Sequence, residues 1–433
     1  MHIDCVAATD VGRERDHNED SHLVVPDHGL YVMCDGMGGH AAGEVASKLA
    51  VDTIHTVIDE YASDLDNPDT QEGRARALAS LIRSAVEDAN RAVHALSRSE
   101  KTFGAGTTCT SLLVREGKAA LGHVGDSRAY LARDGQLHQL SLDHTFAAEA
   151  VAKGVMTEEE VADIPEAAYL TRAVGPHPSV VVDTLLFDLL PNDTLLLCSD
   201  GLHGYIESDE ELLERLDGPV EEIPERLIAL ALERGGEDNI TAVVLRVVAD
   251  EDDEQAEAHR TTQVAADLEA LRHIDMFGEL THAELSRVAQ FFSAQEFEEG
   301  DAILKQGEDT ESLFILVEGQ ARVDRDGDSI ATLPPGSHFG EMALLTQRPR
   351  TATVTALEFC RVLELERESF YELAQQDSVL GVKFLWKLAQ TLSTRLDESY
   401  SPPPKKDIGR TTVRYGMFPS PFSKRQGASS PDE

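Results

Sequence analysis

Leu30-Tyr31-Val32-Met33-Cys34-Asp35-Gly36 is an apolar run of five residues that stops on an acid and a glycine. Thr194-Leu195-Leu196-Leu197-Cys198-Ser199-Asp200-Gly201 repeats the design far along the chain. A short continuous apolar run reads as a buried strand, and the Asp-Gly marks the point where the strand leaves the core. Three other Asp-Gly pairs read as turns. Asp134-Gly135 and Asp326-Gly327 each separate two short strand patterns, and Asp217-Gly218 sits in a polar loop before Pro219. Outward from Asp35, further strand-type runs are Thr107 to Val114, Ala119 to Val124 and Thr241 to Val248. Two long helices are expected at about Gly43–Tyr61 and about Arg74–Ser97, where apolar residues recur at helical spacing. This is a mixed α and β layer structure.

Acids gather at the ends of these runs. Besides Asp35 and Asp200 they are Glu19 and Asp20, Asp126 after a glycine-flanked strand, and Asp238 before Asn239-Ile240-Thr241. A single loop acid is usually a solvated charge or a helix cap, whereas several on separate buried strands are built to converge. Like charges that close stay ionised only around a cation. Carboxylates, a backbone carbonyl and water suit hard Mg²⁺ or Mn²⁺. Two such ions lower the pKa of a bridging water and clamp a phosphoryl group. Arg15, just upstream, has the fork geometry to hold phosphate oxygens.

Six segments carry a resemblance: Arg15-Asp16-His17-Asn18-Glu19-Asp20, Asp35-Gly36-Met37-Gly38-Gly39-His40, Gly106-Thr107-Thr108, Gly125-Asp126-Ser127-Arg128, Ser199-Asp200-Gly201 and Asp238-Asn239-Ile240-Thr241. Their order resembles that of metal-dependent Ser/Thr protein phosphatases of the type 2C class, bacterial branch. The resemblance spans residues 1–249 and implies an α+β fold, a four-layer α-β-β-α sandwich with a two-metal site at one edge. It implies that Asp35 bridges both ions, that Glu19 and the Gly36 carbonyl bind one, and that Asp200 and Asp238 bind the other. Asp126 resembles the acid that serves a third, weaker Mn²⁺ or Mg²⁺ ion, Arg15 the substrate-phosphate contact, and Asp20 a supporting residue. Met37 departs from the pattern, because many eukaryotic relatives place a candidate general-acid His there. His40 is not equivalent to it, and no general acid is assigned. Residues 145–170 resemble the class's mobile flap, which influences substrate choice.

Composition limits the partners. The chain has 433 residues, with 38 Lys and Arg against 79 Asp and Glu, a formal net charge of −41. Such a balance argues against broad binding to nucleic acid or anionic lipid. Five scattered cysteines show no C-x-x-C spacing, so neither a disulfide framework nor a thiolate zinc site is expected. With no long apolar segment and no secretory pattern at Met1-His2-Ile3-Asp4, a soluble, reduced, cytoplasmic protein is expected. Six acids within Asp250–Glu257 read as an exposed linker, placed at 250–265. From residue 399 the Pro-, Ser- and Lys-rich tail is expected to be disordered.

Residues 266–398 change character. Helical pattern from Val264 to Phe292 gives way to short strands punctuated by Gly300, Gly307, Gly319, Gly327 and Gly336, which indicates a β-roll or jelly roll, followed by helix from about Ser369 to Leu396. In Phe339-Gly340-Glu341-Met342-Ala343-Leu344-Leu345, a glycine allows close backbone approach and a short helix begins at an acid; Arg350 returns nine residues after Glu341. A Glu and an Arg this far apart are more often a surface pair. In context the segment is similar to the phosphate-binding cassette of cyclic nucleotide-binding domains. That resemblance implies Glu341 on the ribose 2′-hydroxyl, Arg350 on the cyclic phosphate, and backbone contacts from Gly340, Met342 and Ala343. Thr351 leaves the base, adenine or guanine, open. Asp324-Arg325-Asp326-Gly327-Asp328 hints at a calcium loop, but glycine and Pro335 fall at the wrong positions for one.

The expectation is therefore an enzyme: a Mn²⁺- or Mg²⁺-dependent hydrolase of phosphoserine and phosphothreonine in proteins phosphorylated by Ser/Thr kinases, with cAMP or cGMP as effector. The alternative keeps the phosphatase constitutive and makes residues 266–398 a docking module indifferent to nucleotide. No nucleic acid or membrane partner is expected.

Overall fold

The computed structural model describes residues 1–38, 41–61, 71–99, 102–162, 164–249, 254–274, 276–278, 280–346, 348–376 and 378–400. Two compact units emerge: Met1–Glu149 with Ala162–Leu271 and Leu280–Gln290, and Ala150–Val161 with Arg272–Glu279 and the chain from Phe291 on.

The elements up to residue 249 run β1 (His2–Asp10), β2 (Ser21–Val25), β3 (Leu30–Cys34), β4 (Gly36–Met37), α1 (Ala41–Tyr61), α2 (Gln71–Ser97), β5 (Gly106–Thr107), β6 (Cys109–Arg115), β7 (Lys118–Val124), β8 (Arg128–Arg133), β9 (Gln136–Gln139), α3 (Phe146–Ala152), α4 (Glu158–Ala162), β10 (Asp183–Asp188), β11 (Thr194–Cys198), α5 (Asp200–His203), α6 (Asp209–Arg215), α7 (Ile223–Glu233) and β12 (Ile240–Val248). One antiparallel sheet has the order β1-β12-β11-β8-β9 and the other β10-β7-β6-β3-β2.

Three cores make four layers. Tyr31, Met33, Leu112, Leu121, Leu131, Leu195, Leu197, Val243 and Leu245 fill the space between the sheets. The alternate residues Leu30, Val32 and Cys34 face outward against Ala46, Ile54, Ile58, Leu78, Ile82 and Val86 of α1 and α2. On the far side Leu196, Cys198 and Val244 pack on Leu212, Ile223 and Leu227 of α6 and α7. A strand buried on both faces must be apolar at every position, which is why β3 and β11 show no polar alternation. Their acids therefore stand only at their ends, and all at one edge of the sandwich.

The expected hairpin at Asp134-Gly135 is present, with φ of 50° and 71°, and so is that at Asp326-Gly327, with 54° and 91°. Positive φ at both central residues suits the twist of a two-residue hairpin. β1, β2, β10 and the helices α5 to α7 were outside the sequence expectations. β1 is a partly buried edge strand paired with β12, so its pattern lacks the unbroken apolar run of a central strand.

Beyond residue 249, Asp250 to Asp253 lie outside the described residues, but the chain is helical from Glu254 as α8 (Glu254–Arg272). Glu, Gln and Ala are good helix formers, and Glu254 and Glu257, the last acids of the run expected as an exposed linker, lie in this helix. α9 (His282–Ala289) starts at a capping box between Thr281 and Glu284. α9 and nearly all of α8 belong to the first unit; the second carries β13 (Ser293–Phe297), β14 (Ala302–Leu304), β15 (Ser312–Glu318), β16 (Ala321–Arg325), β17 (Asp328–Leu333), β18 (His338–Phe339), α10 (Met342–Leu345), β19 (Thr353–Ala356), β20 (Cys360–Glu366), α11 (Arg367–Gln376) and α12 (Ser378–Tyr400). Its sheets, β13-β20-β15-β18 and β14-β19-β16-β17, enclose Leu304, Phe314, Leu316, Phe339, Val354 and Val362, the expected β-roll. His40 and the tail from residue 401 lie outside the described residues.

Candidate active site

The peptide of Asp35 is fixed before its side chain does anything. Its N–H donates to Thr108 Oγ1, and its carbonyl accepts from Thr108 N–H and Thr107 Oγ1, each at 2.8 Å. These threonines explain the Gly106-Thr107-Thr108 motif. Gly36 is fully enclosed: a β-carbon there would lie 2.3 Å from the Gly43 carbonyl oxygen and 2.6 Å from that of Glu19. Met37 extends β4 beside β5, and its Cε lies 2.8 Å from where a Gly106 β-carbon would stand. At the position of the missing His the side chain is therefore a packing residue.

Glu19 is brought in by its backbone. Its N–H donates to Asn239 Oδ1 at 2.7 Å, and its carbonyl accepts from Ser47 Oγ at 2.6 Å and from the Gly36 N–H at 3.1 Å. Asn239 also donates to the carbonyls of Val11 and His17, at 2.9 Å each, and so ties the Glu19 loop to Asp238. Sequence reading included Asn239 in a motif without giving it this work. Asp200 opens α5 directly after β11, and Gly201 sits so close to the Asn239 carbonyl that a β-carbon would lie 2.1 Å from it. Arg15 Nη2 reaches Asp238 Oδ2 at 2.6 Å, with both side chains still substantially open to solvent. The predicted phosphate contact and a predicted metal ligand are thus neighbours.

The carboxylates act on one another. Burial, followed by the charges of Asp20, Asp200 and Asp126 and a carboxyl–carboxyl hydrogen bond with Asp200, holds Asp35 well above the usual carboxylate range. Asp20 is pushed up to about 7, mainly by burial, although Thr241 Oγ1 donates to its Oδ2 at 2.6 Å; Asp200 and Asp238 add to the rise. Asp126 also rises to about 7, through burial and the charges of Asp200 and Asp143. Asp20, expected as a supporting residue, is therefore electrostatically central: its charge weighs on Asp35, and those of Asp200 and Asp238 weigh on it.

Asp126 is held from two sides. His144 N–H donates to the Gly125 carbonyl at 2.7 Å, and Gly125 N–H donates back to His144 Nδ1 at 3.1 Å. That assignment puts the ring proton on Nε2, 3.2 Å from Asp183 Oδ2. From α5, His203 Nε2 lies 3.0 Å from the Asp126 carbonyl. The segment 145–170, expected as a flap, has its ends paired beside this clamp, where Thr145 bridges Leu170 and Arg172 Nη1 meets Asp183 Oδ1 at 2.5 Å.

The donor set fits hard divalent cations. It is all oxygen, and Asp20 Oδ1 and Asp200 Oδ1 are buried without a hydrogen-bond partner. Among the described residues no group of three or more His, Cys, Asp or Glu is placed to hold a metal ion as the side chains stand.

In the second unit Gly340 has φ of 81° and touches Arg350, whose Nη1 would lie 2.8 Å from a β-carbon there. Arg350 is buried, 5.9 Å above the Phe314 ring centroid. Its Nε donates to Thr310 Oγ1 at 2.6 Å, Nη1 to the Gly340 carbonyl at 3.0 Å and Nη2 to the Ser312 carbonyl at 2.7 Å. Glu341 is buried at the start of α10, Met342 is exposed, and Ala343 N–H donates to the Gly340 carbonyl at 3.0 Å. Thr351 is exposed. Thr310 was not legible in sequence, since a threonine 40 residues from Arg350 carries no local pattern.

No helix among the described residues is long and apolar enough to cross a membrane. The profile described as cyclic nucleotide-binding domain matches residues 294–377. Serine/threonine protein phosphatase PstP of Mycobacterium tuberculosis is 42% identical over 245 residues, a match that covers 56% of this chain but only 44% of PstP. Serine/threonine phosphatase stp of Listeria monocytogenes is 34% identical over 242 residues, covering 55% of this chain and 93% of that protein. The crystal structure of the M. tuberculosis phosphatase superimposes with a TM-score of 0.50 at 38% identity, over 57% of this chain and all of that one. The profile described as protein phosphatase 2C matches residues 12–232, just over half the length, and with the four layers and the acidic edge in place the chain belongs to the protein phosphatase 2C family, with a cyclic nucleotide-binding domain following the phosphatase domain.

Proposed function

We propose that the chain hydrolyses phosphoserine and phosphothreonine in proteins, under control of cAMP or cGMP at its second unit. The observation that carries this is the group of strand-end carboxylates, with Asp35 raised by burial and then by Asp20, Asp200 and Asp126, beside Arg15 at the open edge. Asp35, Glu19 and the Gly36 carbonyl would hold one Mn²⁺ or Mg²⁺, Asp35, Asp200 and Asp238 a second, and Asp126 a third. Bound there, the ions supply a water acidic enough to attack at neutral pH and neutralise the charge on the phosphoryl oxygens. Arg15 turns from Asp238 to the phosphate as a bidentate donor, since both side chains are exposed enough to move. Thr107 and Thr108 keep the Asp35 backbone from yielding, so the carboxylate stays in place as charge develops.

The nucleotide reading is supported by burial of both Glu341 and Arg350 against the cassette. The test is Mn²⁺-dependent phosphate release from a phosphothreonine peptide, with and without saturating cAMP or cGMP. A rate change with one nucleotide, through an affinity coupling of about 5–150-fold, is expected and should vanish in Arg350→Ala. Turnover indifferent to both would leave the enzyme standing and move the second unit to docking or to another ligand. Asp200→Ala is expected to abolish metal-dependent turnover; retained activity would overturn the site.

A further inference from the structure

Arg367 opens α11, yet its side chain serves another element. Nε donates to the Ala343 carbonyl at 2.9 Å, Nη2 reaches that carbonyl as well as the Thr346 carbonyl at 2.7 Å, and Nη1 meets Glu311 Oε1 at 2.5 Å. Its backbone N–H adds a bond to the Glu311 carbonyl at 2.9 Å. Only 6% of the residue is exposed. A guanidinium buried this deeply is costly unless its donors are met, and here all three nitrogens are. Ala343 lies in α10 and Thr346 caps it, and four residues of helix cannot hold their own orientation.

Glu311 sits between the two residues that Arg350 holds. Arg350 takes Thr310 and Ser312, and Arg367 takes Glu311. The cassette turn is gripped at both ends in the same way, Gly340 by Arg350 and Ala343 by Arg367. Two arginines thus fasten the turn that bears Glu341 to the entry of β15, and one of them is the first residue of α11.

We propose that Arg367 is a positioning residue of the nucleotide site: it locks the cassette turn onto Glu311, so that Glu341 and Arg350 are in register for the ligand, and it ties α11 to that turn. The inference rests on the nucleotide reading above.

The experiment uses the full chain. cAMP and cGMP are titrated by calorimetry into the wild type, Arg367→Met, Arg367→Lys and Glu311→Gln, alongside melting curves and hydrogen exchange at α10 and α11. Arg367→Met should weaken the nucleotide about 10–100-fold, the loss expected for charge-assisted hydrogen bonds. Arg367→Lys keeps the charge but not the fork, and should melt near the wild type while still binding more weakly. In the wild type, nucleotide should slow exchange in both α10 and α11; in Arg367→Met only α10 should respond, a change that simple loss of stability would not produce. Should Arg367→Met fail to fold, Glu311→Gln carries the test, because that side chain is half exposed. Variants that bind as tightly as the wild type, or an α11 that still responds, overturn the inference alone. A wild type that binds neither nucleotide overturns the nucleotide reading and this inference with it.

Discussion

Gly43 shows how closely single residues bound the acidic edge. A β-carbon there would lie 2.2 Å from Glu19 Oε2 and 2.9 Å from the Gly36 carbonyl carbon. The nearest neighbour is the far end of the Glu19 side chain and the next is the Gly36 backbone, so Gly43→Ala should fold at a cost of about 1–3 kcal/mol by shifting both, the Glu19 carboxylate most. Mn²⁺ affinity should then fall about 10–100-fold, measured by calorimetry, the loss typical of a disturbed metal shell. An unchanged affinity would remove Glu19 from the site. The glycine was legible in the sequence only as a small residue near a helix start. Its reason is a side chain 24 positions away, and no local pattern records that distance.

At the scale of elements, legibility followed burial. β3 and β11 were readable to the residue because each is covered on both faces and leaves no polar position to blur the run. α1 and α2 were readable because a long amphipathic period survives errors at its ends. β1 and α5 were not, since one is a half-covered edge and the other is a four-residue turn fixed by its contacts. The acids of the site were legible by where they stand; Asn239, Thr310 and Arg367 were not, because their roles are hydrogen bonds between distant segments. The neck of the 145–170 segment is a further case. His144 is fully buried between Gly125 and Asp183; against the raising effect of burial, His144 first and then Arg172, which also bonds Asp183, hold that acid low. His144→Ala leaves the Gly125 N–H unmet and should cost about 1–3 kcal/mol, read from urea unfolding. A neutral result would mean that water replaces the ring.

Across the whole molecule the acidic edge makes stability depend on pH and on metal. Asp20 and Asp126 stand at about 7 in the folded chain, against about 3.9 for an unfolded Asp. A carboxyl raised on folding favours the fold below its unfolded value and opposes it as pH climbs through its folded value. In chelator, therefore, the melting temperature should drop between about pH 4 and pH 7. Mn²⁺ should restore it, with apparent affinity that strengthens over the same interval because the acids must release protons to bind. A flat profile in chelator would mean that the acids are not held together as described.

Arg350 has a consequence for the proposed pairing of enzyme and sensor. Three of its five N–H groups already serve Thr310, Gly340 and Ser312, so an arriving anion meets at most two and must gain the rest of its affinity elsewhere. A nucleotide has a sugar and a base to offer as well. Orthophosphate, which the proposed hydrolysis would release, has neither. A nucleotide sensor of this kind would be little disturbed by that product, and nucleotide affinity should be the same in phosphate buffer as in its absence at matched ionic strength.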